Sequence, residues 1–274
     1  MVTGATDGIG KATARVLAEQ GAQVIVVGRN RAKTERVVAE IRQQTGRTTV
    51  DYLLADFASQ AQIRRLAAEF LARYERLDVL VNNVGVMIMS RQETADQLEM
   101  TFAVNHLGYF LLTNLLLDVL KASAPARIVN VSSDAHQGRK LDFADLQMEK
   151  EYQGMQAYGR SKLANLYFTY ELARRLVGTG VTVNALHPGF VGTNIGANNI
   201  PVLGKQIKWL INRLAKSPEE GAQTMIYLAT SPEVEGVTGK YFVNCKEVAS
   251  TEVSYDETAA RRLWQASEAL TGLR

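Results

Sequence analysis

Short, almost unbroken apolar runs alternate with longer amphipathic stretches from one end of the chain to the other. QVIVV (Gln23–Val27), TVDYLL (Thr49–Leu54), DVLVNN (Asp78–Asn83), ARIVNVSS (Ala126–Ser133) and VTVNALHP (Val181–Pro188) are rich in β-branched residues and apolar at successive positions. That pattern marks parallel strands covered on both faces rather than strands with one wet face. Helical periodicity fills about 9–20, 31–44, 60–74, 93–121 and 157–178 and returns near 218–230 and 256–271. TGKYFV (Thr238–Val243) is left as a last strand. This alternation predicts an α/β fold, a single Rossmann-like, doubly wound parallel sheet of about seven strands with helices on both faces. No repeat, low-complexity tract or linker interrupts it, so residues 1–274 read as one domain.

Composition removes several alternatives. With 274 residues, 46% hydrophobic and 22% charged, the chain has an ordinary globular balance and can bury a core without disulfides. Lys and Arg number 31 against 28 Asp and Glu, a net charge of +3 without long blocks, so nothing calls for nucleic acid. Cys245, the single cysteine, cannot pair internally and fits a reducing, cytoplasmic setting. No apolar run approaches the ~18–20 residues of a transmembrane segment, and no basic-then-apolar signal segment opens the chain. Only Met1, Val2 and Thr3 precede Gly4, where a typical strand has about 5–6 residues. A central strand that short would leave neighbouring backbone groups unpaired. The expectation is that the natural chain starts earlier, or that this one is less stable than its relatives.

Candidate chemistry begins at Thr3-Gly4-Ala5-Thr6-Asp7-Gly8-Ile9-Gly10, between a strand-like opening and the first helix. Glycines at such a junction permit positive φ and close backbone approach, and the helix start offers N–H groups and a positive dipole end to a pyrophosphate. Gly4, Thr6, Asp7, Gly8, Ile9 and Gly10 are therefore cofactor-binding candidates, with a loop built for shape alone as the alternative. The next strand ends Val27-Gly28-Arg29-Asn30-Arg31, with Lys33 nearby and no carboxylate until Glu35. Arginine suits a 2′-phosphate where an acidic residue would take the ribose 2′-OH, so NADP is expected, with NAD as the second choice. Arg29 and Arg31 as solvated turn charges are the competing explanation. Asp56, after the third strand, offers an acceptor to an adenine amino group or serves as a helix N-terminal carboxylate.

Tyr158-Gly159-Arg160-Ser161-Lys162 places a phenol and an ammonium at i and i+4, on one helical face. A phenol of pKa about 10 is a poor proton carrier at neutrality. A neighbouring ammonium, joined by a cationic nicotinamide ring, favours the phenolate. By spacing alone, a surface Tyr–Lys pair is the better explanation of the motif.

These elements together resemble the short-chain dehydrogenase/reductase family. TGATDGIG, NNVG (Asn82–Gly85), NHLG (Asn105–Gly108), VSS (Val131–Ser133), YGRSK and HPG (His187–Gly189) stand in that family's order across essentially the whole chain. The stretch between Ser133 and Tyr158 and the tail from VNCKE onward are similar to its retinol-dehydrogenase-like branch. The resemblance implies a catalytic tetrad of Asn105, Ser133, Tyr158 and Lys162. Tyr158 would be the general acid, Lys162 would lower its pKa and bind nicotinamide-ribose hydroxyls, Ser133 would position the substrate oxygen, and Asn105 would hold a relay water. Ser133 rather than Ser132 aligns with the family's strand end, and the two point to opposite faces. The same resemblance makes Asn83, Gly85, Pro188, Gly189, Val191 and Thr193 cofactor-binding residues alongside Tyr158 and Lys162. Asn82 would stabilise the central sheet, Val84 stands where the family has alanine, and Thr193 could instead cap the following segment.

The implied activity is that of an NADP(H)-preferring oxidoreductase transferring a hydride between nicotinamide and a moderately apolar carbonyl or alcohol. A catalytically silent NADP-binding regulator or scaffold is the rival, and an epimerase of the extended branch is disfavoured by length. A substrate lid is expected at about 190–217, where Ile200, Trp209 and Leu214 stand amid Lys205, Lys208 and Arg213. A subunit contact in a homo-oligomer or a membrane-surface helix would use the same pattern. His106, His136 and His187 lack metal-ligand spacing, Asn130 sits in a sequon within a buried strand, and Cys245 reads as packing.

Overall fold

The computed structural model describes residues 1–191 and 216–273. Strands β1 (Val2–Thr3), β2 (Val24–Gly28), β3 (Val50–Leu54), β4 (Val79–Asn82), β5 (Ala126–Val131), β6 (Val181–His187), β7 (Tyr241–Val243) and β8 (Lys246–Val248) form a sheet of order β3-β2-β1-β4-β5-β6-β7-β8. All neighbours are parallel except β7 and β8. The order reverses between β1 and β4, the topological switch where doubly wound sheets open a crevice beyond their strand ends. The sheet thus has eight strands, one more than expected. The addition is an antiparallel edge strand joined to β7 through Asn244 and Cys245, both at positive φ (51° and 60°).

The continuous apolar runs supply two cores. In β2, Val24 and Val26 face one side, with Leu17 of α1 (Gly8–Glu19), Val38 of α2 (Arg31–Thr45) and Met225 of the later helix Pro218–Thr230. Ile25 and Val27 face the other, with Phe70 of α3 (Gln60–Arg73). That second core continues through Phe110, Phe168 and Trp264 of helices given below. The short β1 is paired on both sides, Val2 standing opposite Val26 and Val81. The neighbouring carbonyl of Val79 accepts from the Met1 nitrogen at 2.8 Å, so it is not left open.

Helix boundaries follow the expected spans except in one place. Residues 93–99 form no helix. Thr94 and Leu98 close a tight loop by a backbone bond of 2.8 Å, Gln97 adopts φ of 59°, and Glu93 bridges Glu99. The buried carboxylate of Glu99 then accepts from the N–H groups of Thr101 and Phe102, both at 2.7 Å, and this cap fixes the start. From there α4 (Met100–Phe102) passes into a π-helical turn, Ala103–Leu107, and on into α5 (Gly108–Leu115) and α6 (Leu117–Ala122). The remaining α-helices among the described residues are α7 (Gly154–Arg175), α8 (Pro218–Thr230), which opens with a full capping box from Ser217 and Glu220, and α9 (Glu257–Thr271). No helix among the described residues is long and apolar enough to cross a membrane.

Packing between α5, α7 and α9 centres on aromatic rings. Phe110 meets Trp264 edge-on at 4.9 Å between centroids and Phe168 at 5.6 Å. Truncating a ring buried this completely leaves a cavity where three helices meet. Phe110→Ala is expected to lower unfolding stability by ~3–5 kcal/mol. Denaturant titration checks this, and a loss within ~0.5 kcal/mol, the range of ordinary surface changes, would refute the assignment.

Candidate functional site

The first loop is shaped by contacts that exclude side chains. Gly4 has φ of 63°, and a Cβ built on Gly10 would lie 2.5 Å from the Gly4 carbonyl oxygen and 2.5 Å from Asn83 Nδ2. Asn83 locks the turn from below, donating to the carbonyls of Thr3 (2.9 Å) and Gly4 (3.2 Å). Asp7 caps α1 by accepting from Gly8 N–H and pairs with Lys33 at 2.7 Å. Thr6 packs its methyl where a Cβ on Gly28 would stand. Ile9 is buried, and its methyl and that of Val191 close on Gly221, which brings the end of β6 against the loop. The loop therefore leaves helix N–H groups and bare backbone facing the crevice, a cradle suited to a pyrophosphate.

At the end of β2 the basic residues part company. Arg31 contacts Glu35 and donates to the Tyr52 hydroxyl at 3.1 Å. Arg29 is exposed and meets no ion-pair or hydrogen-bond partner among the described residues. On the adjoining strand end, Asp56 accepts from Ala58 N–H at 3.0 Å, so one carboxylate oxygen already serves the turn ahead of α3.

Beyond β4 and β5 the expected catalytic residues converge. Asn105 lies inside the π-helical turn, a distortion that recurs at functional sites. Its Oδ1 accepts from Val86 N–H at 2.8 Å, and its Nδ2 lies 2.9 Å from both Val86 O and Ser161 Oγ. Lys162 is almost wholly buried, donates to the carbonyl of Val131 at 3.0 Å, and stands 5.5 Å from the centroid of Tyr158. Gly85 sits in front of this pair. A Cβ there would come 3.6 Å from Lys162 Nζ and 3.7 Å from Asn105 Oδ1, so the missing side chain keeps open the space a ribose and nicotinamide would need. Ser133 hydrogen-bonds Tyr158, whereas Ser132 is buried and donates to the backbone carbonyl of Lys162 at 2.8 Å. The two serines thus face opposite ways.

Electrostatics at this cluster are set by desolvation. Burial pushes the Tyr158 phenol above its ordinary pKa, opposed by the Ser133 hydrogen bond. Burial also drives Lys162 down to about 7. The expected lowering of the phenol's pKa joined the ammonium to a cationic nicotinamide ring; among the chain's own groups burial sets the direction instead. The low-dielectric pocket outweighs the ammonium.

Several contributors were not legible in the motifs. Tyr109 stacks its ring 5.9 Å from Lys162 Nζ and donates to Val84 O at 2.7 Å, holding the residue that replaces the family's alanine. Asn82, already read from NNVG, donates to Thr113 of α5 and Asn130 of β5. Buried Arg160, inside YGRSK itself, donates to the carbonyls of Asp142 and Asp145, and Tyr152 donates to Ile88 O at 2.9 Å. These bonds organise the loop between Ser133 and α7. For Tyr109 and Arg160 the one signal was a polar residue within a helical stretch. His187 pairs with Asp134 at 3.1 Å, and Gly189 after Pro188 has φ of 88° and approaches the Lys216 side chain. Thr193 and nearly all of the expected lid, including Ile200, Lys205, Lys208, Trp209, Arg213 and Leu214, lie outside the described residues.

The short chain dehydrogenase family matches residues 1–201. Retinol dehydrogenase 14 of Mus musculus is 47% identical over 287 residues, covering 100% of this chain and 85% of its own length. Retinol dehydrogenase 13 of Homo sapiens is 48% identical over 282 residues, covering 100% and 84%. Among solved structures, an uncharacterized protein from Mycobacterium paratuberculosis superposes with a TM-score of 0.78 at 32% identity, covering 98% of this chain and 91% of that one. A short chain dehydrogenase from Shigella flexneri, complexed with NADP, gives 0.70 at 27% identity, covering 89% and 95%. With its crevice at the sheet's switch point, its glycine loop and its Tyr–Lys helix, the chain belongs to the short-chain dehydrogenase family.

Proposed function

We propose that this oxidoreductase prefers NADP(H) and interconverts a carbonyl and an alcohol on a moderately apolar substrate. The observation that carries the reading is the convergence of Asn105, Ser133, Tyr158 and Lys162 around the open space at Gly85. Arg29, at the end of β2 and without a partner among the described residues, is the group to take a 2′-phosphate. Similar solved structures complexed with NADP and with NADPH support that preference. The names of the related retinol dehydrogenases support an alcohol as one member of the substrate pair. For an apolar body, the exposed side chains of Met89 and Met155 offer a surface. Met155 stands three residues before Tyr158, on the same side of α7.

A bound nicotinamide dinucleotide supplies or accepts the hydride. Everything else falls to the chain. The glycine loop and the start of α1 hold the pyrophosphate, Asn83 and Gly85 frame the adjoining ribose path, and Lys162 binds ribose hydroxyls. Ser133 donates a hydrogen bond to the substrate oxygen and Tyr158 gives it a proton. A phenol held above its ordinary pKa is fully protonated at neutral pH, the form a reduction requires.

Tyr158→Phe is expected to keep NADPH binding, read by fluorescence, and to lose turnover by about 10²-fold or more. Rates near those of the parent protein across aldehydes and ketones would remove Tyr158 as the acid. Arg29→Asp should move the NADP/NAD ratio of kcat/KM towards NAD, and an unchanged ratio would exclude Arg29. Lys162 gives a linkage prediction. Its folded pKa of about 7 lies below its unfolded value of about 10.4, so the unfolded chain holds the extra proton between them. The buried lysine therefore costs stability at low pH, and the cost fades as pH rises. Lys162→Met should raise the Tm of the cofactor-free protein near about pH 6 and raise it less near about pH 9. A pH-independent difference would contradict this.

A further inference from the structure

His106 follows Asn105 in the π-helical turn, is buried, and has no part in the chemistry outlined above. Its ring is hemmed by Phe102, Phe110 and Phe168 at centroid distances of 5.0, 6.4 and 6.2 Å, so polar partners are few. Nε2 lies 2.9 Å from Ser267 Oγ on α9. Nδ1 and the Oδ1 of Asn165 on α7 are both buried and unpaired, and the Asn165 side chain is the ring's other polar neighbour. The other end of that amide, Nδ2, donates to Val131 O at 3.2 Å. The same carbonyl accepts Lys162 Nζ at 3.0 Å.

Buried polar atoms are seldom left unpaired, and only one proton placement suits both orphans. With the proton on Nε2 the ring would donate to Ser267, whose hydroxyl would turn to Leu263 O, 2.8 Å away. The lone pair of Nδ1 would then confront that of Asn165 Oδ1. With the proton on Nδ1 the ring donates to Asn165 Oδ1, and Nε2 accepts from the Ser267 hydroxyl. We infer that His106 is protonated on Nδ1, and that Ser267, His106 and Asn165 form one directed hydrogen-bond chain ending on the Val131 carbonyl, the acceptor that Lys162 also uses. In this chain His106 and Asn165 are positioning residues for the lysine.

Burial holds the His106 pKa down to about 3, so the ring stays neutral and both nitrogens keep fixed roles at working pH. By orienting the Asn165 amide, the chain governs how strongly the Val131 carbonyl claims Lys162. Freed from Asn165, that oxygen draws the ammonium toward β5 and away from Tyr158, which then loses the cation that favours its ionisation. Among the described residues Lys162 faces the titratable side chains of Tyr158 and Tyr109, at 5.5 and 5.9 Å, and neutral His106 adds no charge. The inference rests on the roles given above to Tyr158 and Lys162.

Two measurements test it. Nitrogen-15 NMR of the histidines in the intact protein should show His106 Nδ1 protonated and Nε2 bare, and the opposite tautomer overturns the chain outright. In kinetics, Asn165→Leu and His106→Leu should each lower kcat about tenfold and move the alcohol-oxidation profile to higher pH, with KM for the nucleotide unchanged. His106→Asn, which keeps a donor toward Asn165, should restore much of both. Variants that lose thermal stability while keeping the parent kcat and pH profile would show a purely structural histidine and overturn the positioning role. If the parent protein binds NADPH yet turns over no carbonyl or alcohol, the oxidoreductase reading fails instead, and the tautomer result still decides the chain.

Discussion

Asn105 is the knot of the structure. Its amide uses both ends at once, taking the N–H and meeting the carbonyl of Val86 on the loop after β4 and reaching Ser161 on α7. A regular α-helix gives little freedom in where such a side chain emerges, and the wider π-helical turn supplies it. Three segments far apart in sequence are thereby held in one register. Gly85 stays before Lys162, Lys162 stays beneath the end of β5, and Tyr158 follows from their shared helix. Loosening that amide would disturb every distance in the cluster together.

The low dielectric around this knot explains why its two titrating groups move in opposite directions. Both prefer to be neutral there, the phenol keeping its proton and the lysine giving its own up more easily. A site tuned by desolvation in this way carries an instability that its chemistry requires, a common relation between activity and stability. Hydrophobic layers on both faces of the sheet and the ring cluster of α5, α7 and α9 offset it.

What could be read from the sequence was whatever has a local signature. The β-branched runs gave the parallel strands because strands covered on both faces tolerate little else. TGATDGIG and YGRSK placed the crevice and its helix because a tight approach and an i, i+4 pair depend on near neighbours alone. Other features depend on long-range partners. Residues 93–99 have helical periodicity but are diverted by the Glu99 cap and the Thr94 turn. The π-helical turn leaves no mark in spacing, and nothing local to Arg160 inside the motif marks the carbonyls of Asp142 and Asp145 as its partners. The pKa of Lys162 could not be anticipated either, because burial is a property of the assembled pocket.

The final hairpin has a bearing on how the molecule behaves in a crowd. An open sheet with exposed N–H and C=O groups is a template for pairing with another chain, the route by which native proteins begin to aggregate. Here the sheet does not stop at a parallel β7. The chain reverses through Asn244 and Cys245 and lays down a strand of three exposed residues, Lys246, Glu247 and Val248, with Glu247 salt-bridged to Lys240. A strand that brief, charged and sharply twisted at its turn offers poor purchase to a stranger. The hairpin covers the open side of β7, so this margin of the sheet ends on a short strand carrying charged side chains.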